Sequence, residues 1–111
     1  MLAKMGYTVF AIDLYGVGNR PKEISERKKM TESLYKDRAK MRLLMNGALD
    51  FASSQGVNLK QAVVIGYCFG GAAVLELART GVDLKGFVAF HGGLSTPEDQ
   101  DFSKTKGKLL I

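Results

Sequence analysis

One cysteine, one histidine and the absence of any long apolar run set the first limits on this chain. A single thiol forms no internal disulfide, so nothing calls for an oxidising compartment and a cytoplasmic setting is expected. One thiol and one imidazole, Cys68 and His91, are too few for a zinc site, and no metal is expected. The clearest apolar runs, Tyr7 to Ile12 and Gln61 to Ile65, are strand-sized, whereas a membrane-spanning helix needs about 20 residues. The opening residues, Met1-Leu2-Ala3-Lys4-Met5-Gly6, lack the basic start and apolar core of a secretory signal. Low-complexity tracts and internal repeats are also missing.

What is present reads as an ordinary soluble domain. A length of 111 residues accommodates one domain, and 46% apolar with 24% charged residues argues against disorder. The net charge of +5 raises the question of an acidic partner. Nine of the sixteen Lys and Arg lie between Arg20 and Arg42, interleaved with Glu23, Glu26, Glu32 and Asp37. That mixture is the pattern of a solvated helical face. Aromatic residues do not alternate with the basic ones, and no nucleic-acid-binding motif occurs, so neither nucleic acid nor membrane is an expected partner. Oligomeric state leaves no signal in the sequence.

Met1 to Met5 reads as the last turn of a helix closed by Gly6. Tyr7-Thr8-Val9-Phe10-Ala11-Ile12 is β-branched and aromatic without polar alternation, which predicts a strand buried on both faces of a parallel sheet. A turn-rich exit, Asp13 to Pro21, follows. Helical character is predicted from about Ile24 to Ser53, with Leu34, Met41, Met45, Ala48, Leu49 and Ala52 on one face and Gly56 as the stop. Gln61 to Ile65 is a second strand, and a helix starts directly after Cys68 and ends near Gly81. Gly86 to Phe90 is a third strand, turning at His91-Gly92-Gly93. A polar stretch with Pro97 and three acidic residues leads to a fourth apolar run, Lys108 to Ile111. Alternating strands and helices predict an α/β fold, an open parallel sheet with flanking helices.

The chemistry concentrates in Gly66-Tyr67-Cys68-Phe69-Gly70-Gly71. A nucleophile elbow passes from strand to helix through one tight turn whose central residue is backbone-strained. Side chains two positions before and after would collide with the helix and neighbouring strand, so Gly66 and Gly70 are expected to remove them, and Gly71 to let the helix approach the sheet. The turn lifts the Cys68 side chain above the carboxyl ends of the strands, where α/β ligands bind. The N-terminus of the following helix favours a thiolate there. The Phe69 N–H points where an oxyanion would form. The plain alternative for Cys68 is a small buried hydrophobe at a strand end.

This motif resembles the nucleophile elbow of the dienelactone hydrolase family. Asp13-Leu14-Tyr15-Gly16 resembles that family's upstream strand exit, and Phe90-His91-Gly92-Gly93-Leu94 a downstream segment of many bacterial members. The resemblance covers essentially the whole chain in order. It implies an α/β-hydrolase fold with a Cys-His-Asp triad that cleaves a small-molecule ester or lactone without a cofactor. Residues 1–111 are then expected as the central part of a single such domain, truncated at both ends, with apolar sheet residues left exposed. By resemblance Cys68 is the nucleophile and Phe69 an oxyanion-hole residue. The triad acid would follow the strand beginning at Lys108, and the histidine a later strand. The second oxyanion donor and a glutamate that contacts the thiol would precede Met1. Tyr35 matches the tyrosine of an arginine–tyrosine pair that holds a substrate carboxylate. Thr31 stands where that arginine would be, which counts against dienelactone itself as substrate.

Four other features have plain and functional readings. His91 breaks the nucleophile–acid–histidine order of this fold and is expected to be a hydrogen-bonded strand-end residue. Asp13 is expected to cap its turn through its own side chain. Arg20 is a candidate partner for a substrate carboxylate, or a solvated loop residue. Gly16-Val17-Gly18 lacks the third glycine and immediate helix of a dinucleotide fingerprint. Two further functions stay open beside the hydrolase: a non-catalytic or redox-sensing module on a degenerate hydrolase fold, and a class I glutamine amidotransferase. The latter's elbow usually carries His where Gly71 stands.

Overall fold

The computed structural model describes residues 1–98 and 100–111; Asp99, one of the three acids expected in the polar stretch, lies outside them. Helices α1 (Ile24–Lys36) and α2 (Arg38–Ser54) precede strand β1 (Val63–Tyr67). Helix α3 (Phe69–Arg79), strand β2 (Gly86–Phe90) and strand β3 (Lys108–Leu110) follow. The strands form one parallel sheet in the order β1-β2-β3, with Ile65 beside Val88 and Val88 beside Leu110. The expected α/β class is therefore observed.

Helix α3 is the centre of the packing. Every residue from Gly71 to Arg79 is buried, as befits a helix that is apolar on nearly all sides. Its one face lies on β1 and β2, and α2 packs on the other side. Leu34, Met41, Met45 and Leu49 meet Val74, Leu77, Ala78, Leu84 and Phe87 in the core. The helical spacing thus located the buried face of α2, Met41, Met45, Leu49 and Ala52, with Ala48 only half-buried at its margin, while Leu34 joins the core from α1.

Four expectations need correction. The stretch 24–53 is two helices, broken at Asp37, whose φ of −120° and ψ of 76° leave the helical region. Its carboxylate accepts the Lys40 N–H and caps α2, a local bond that competes with continued helix. The second strand begins at Val63, because residues 59–61 form a 3₁₀ turn capped by Asn58. Tyr7 to Ile12 is no strand. It takes no ladder bond from β1, β2 or β3, and Tyr7, Val9 and Phe10 are exposed. A β-rich sequence becomes a strand only where a neighbour supplies hydrogen-bond partners. Finally, the basic helical stretch is not solvated throughout, since Arg38 and Arg42 turn inward to Glu76.

Only one face of the sheet is covered. Ile65, Tyr67, Phe90 and Leu110, all on the face away from α3, are exposed, whereas a parallel sheet is ordinarily covered on both. The exposure expected of the sheet's apolar residues is present.

Candidate active site

Strand β1 ends at Tyr67 and α3 begins at Phe69, so Cys68 alone makes the turn. Its φ of 52° and ψ of −117° lie in a region that costs a non-glycine residue on the order of 1–3 kcal/mol. Three contacts hold it there. The Cys68 N–H donates to the Phe90 carbonyl at 2.9 Å, and its own carbonyl accepts the Ala72 N–H at 3.2 Å. Gly66 lets α3 sit directly over the strand, since a Cβ there would lie 2.2 Å from the Gly70 oxygen. No relaxation of a flexible side chain could relieve that clash.

The glycines divide their work differently from expectation. A Cβ on Gly70 meets nothing within 4 Å, so Gly70 has no steric role among the described residues. Gly71 does: its Cβ would lie 3.0 Å from the Gly92 Cα. The reciprocal contact is tighter, with a Gly92 Cβ 2.8 Å from the Gly71 carbonyl carbon. Gly92 was missed from the sequence, although the adjoining pair Gly92-Gly93 at a strand exit signalled a close backbone approach.

Cys68 is free and exposed. The N–H groups of Phe69, Gly70 and Gly71 open α3 and find no backbone acceptor among the described residues, which leaves a cluster of donors beside the sulfur. The Phe69 ring, next in the chain to Cys68, packs between two tyrosines. It stacks on Tyr15 at 6.5 Å between centroids and meets Tyr35 edge-on at 5.4 Å. Burial, aided by the Asp13 carboxylate, raises the Tyr15 phenol above its ordinary pKa. Asp13 accepts the N–H groups of Tyr15 and Gly16 and so caps its turn as expected.

Of the two candidate substrate-binding residues, Tyr35 lies against Phe69 while Arg20 stands exposed in the loop before α1. The cation over the Tyr35 ring is Arg38, at 4.9 Å. His91 is exposed, has a positive φ of 53° and makes no side-chain hydrogen bond among the described residues. That corrects the expectation of a hydrogen-bonded strand-end residue. Among the described residues no group of three or more potential metal ligands occurs, and no helix is long and apolar enough to cross a membrane.

A second polar centre went unread in the sequence. Glu76 is fully buried in α3 and accepts from Arg38 at 2.6 Å, Arg42 at 2.9 Å and Arg79. The same arginines reach Ser95, Gln100 and Thr96 of the following loop. A lone acid inside the apolar run 72–78 was the available signal.

The strand–Cys68–helix geometry can be set against known proteins. The model of the dienelactone hydrolase family matches residues 1–111. The chain belongs to the dienelactone hydrolase family. A protein of Saccharolobus solfataricus named "Putative carboxymethylenebutenolidase" is 36% identical over 87 residues, covering 78% of this chain and 30% of that protein. A solved structure named m3DLH superposes with a TM-score of 0.87 at 38% identity, covering 97% of this chain and 45% of its own. A dienelactone hydrolase-like promiscuous phosphotriesterase from metagenomic libraries gives a TM-score of 0.79 at 37% identity, over 88% of this chain and 41% of its own. The chain thus spans less than half the length of these dienelactone hydrolase relatives. The family is one of hydrolases, and the three-stranded parallel sheet with its helices corresponds to part of an α/β-hydrolase fold.

Proposed function

We propose that this chain carries the nucleophile elbow of a hydrolase acting on a small ester or lactone, with Cys68 as nucleophile. The observation that carries the reading is the single-residue strand-to-helix turn at Cys68, exposed, strained and held by Gly66. The Cys68 thiolate attacks the carbonyl carbon, and the π electrons move to oxygen. The Phe69 N–H stabilises that oxyanion as one preorganised donor. Collapse expels the alcohol oxygen with its electron pair, which takes a proton, and leaves a thioester, whose hydrolysis by water needs the triad base of the whole domain. Tyr35 borders the acyl group beside Phe69, and Arg20 is the less favoured contact because nothing draws it to the site.

Residues 1–111 are proposed as the central part of a single hydrolase domain. The triad acid and histidine, by family resemblance, follow β3, so this stretch supplies the thiol without its base. It is expected to be acylated once and not to turn over. The phosphotriesterase relative makes a phosphotriester a second electrophile to try. Release of p-nitrophenol from p-nitrophenyl acetate tests the reading. A burst of at most one equivalent, lost in Cys68→Ala, is expected. An unchanged burst in Cys68→Ala would sink it.

A further inference from the structure

His91 has no part in the reaction just described, yet the backbone sets it beside the thiol. Tyr67 and Phe90 are the last register partners of β1 and β2. The Cys68 N–H then bonds to the Phe90 carbonyl, so Cys68 and His91 leave adjacent strands side by side, at a spacing of roughly 4.8 Å. They are the two non-glycine residues with positive φ among the described residues, at 52° and 53°. On its other side His91 is fixed by Gly92, which lies so close to α3 that a Cβ would be 2.9 Å from the Ala72 nitrogen. A strained backbone gripped from both sides therefore presents an exposed imidazole with no protein partner among the described residues. Strain of this kind clusters where a side chain must meet a ligand.

The charged surroundings fix what ligand suits it. The ionisable groups packed around this loop are Cys68 from the β1–α3 turn, Tyr67 from β1, stacked on Phe90 at 4.8 Å, Tyr35 from α1 and Arg38 from α2. The Tyr35 hydroxyl lies 3.4 Å from where a Gly93 Cβ would be, and Arg38 donates to Ser95 at 3.1 Å. The one carboxylate in reach of these groups, Glu76, is fully buried and already engaged by Arg38, Arg42 and Arg79. We propose that His91 is a specificity-determining contact of the thiol site, donating an N–H to a carbonyl or carboxylate oxygen of the acyl group at Cys68. Such a bond is stronger to an anionic oxygen than to a neutral one, so the contact favours anionic over neutral electrophiles. The proposal rests on Cys68 being the reactive thiol.

Alkylation of Cys68 by iodoacetate, an anion, and by neutral iodoacetamide separates the two claims. In both reactions the thiolate forms a sulfur–carbon bond as iodide departs with the carbon–iodine pair. The thiolate fraction cancels in the ratio of the two rates. That ratio, iodoacetate over iodoacetamide, is expected to fall about threefold to tenfold in His91→Gly, which keeps the positive φ without a side chain, and in His91→Phe, which keeps a ring without a donor. An unchanged ratio in both variants, with normal iodoacetamide labelling, would overturn the role of His91 alone. Failure of the folded wild-type chain to label at Cys68 with either reagent would overturn both claims.

Discussion

The two ends of α3 solve different problems by different means. At its start, backbone packs on backbone: Gly66 under Gly70, Gly71 against Gly92, and Cys68 strained between them. Side chains there leave polar groups unpaired and the sulfur in solvent. Toward its end, side chains dominate: Glu76 is buried under three arginines that also tie down the loop from Ser95 to Gln100. Even so, the Arg79 Nε is buried without a partner among the described residues, and burial lowers the Arg79 pKa against the opposing pull of Glu76. One end is shaped by what its glycines omit. The other is fastened by charge.

If that contrast is right, the largest loss of stability comes from the charged end. Glu76→Ala leaves three guanidinium groups without their carboxylate and should cost about 3–5 kcal/mol, read as a lowered urea midpoint. A loss under about 1 kcal/mol, typical of exposed ion pairs, would mean the cluster is solvated. Next comes Gly66→Ala, whose Cβ would press on the Gly70 carbonyl. Overpacking of this kind costs about 3 kcal/mol, and the thiol should lose its reactivity with it. Gly70→Ala, with open space around its Cβ, should leave thiol reactivity near wild type. Equal effects at the two glycines would break the backbone account of the thiol end.

The smallest effect sharpens the contrast by pH. Tyr15, stacked on Phe69, has its phenol pKa raised, first by burial and then by Asp13. A folded value above the unfolded one means the stabilisation is fully present below about pH 10 and is lost as pH rises through the folded value. Tyr15→Phe should therefore flatten the fall in melting temperature above about pH 10. An identical alkaline slope in wild type and variant would contradict the assignment.

Sequence pattern made the thiol end legible because its determinants are local. Glycine spacing, an apolar strand and a run of small residues are contiguous around Cys68, and the turn follows from them. Met41, Met45, Leu49 and Ala52 were readable for the same reason, as one face of α2, whereas Leu34 reaches the core from α1. The Glu76 cluster was not, since Arg38, Arg42 and Thr96 reach it from distant parts of the chain. The role of Gly92 depends likewise on which strand lies next to β1. Tyr7 to Ile12 misled for the converse reason: strand propensity is local, but a ladder requires a partner.

The central claim is that the turn between β1 and α3 exists to present one reactive sulfur. Its most direct test is peptide mapping by mass spectrometry after brief exposure of the folded 111-residue chain to p-nitrophenyl acetate. A single acetyl group on Cys68 is the predicted result, removed by hydroxylamine and absent after prior unfolding in urea. Acetyl groups spread over surface lysines with Cys68 unmodified, or equal labelling of Cys68 in the unfolded chain, would contradict it.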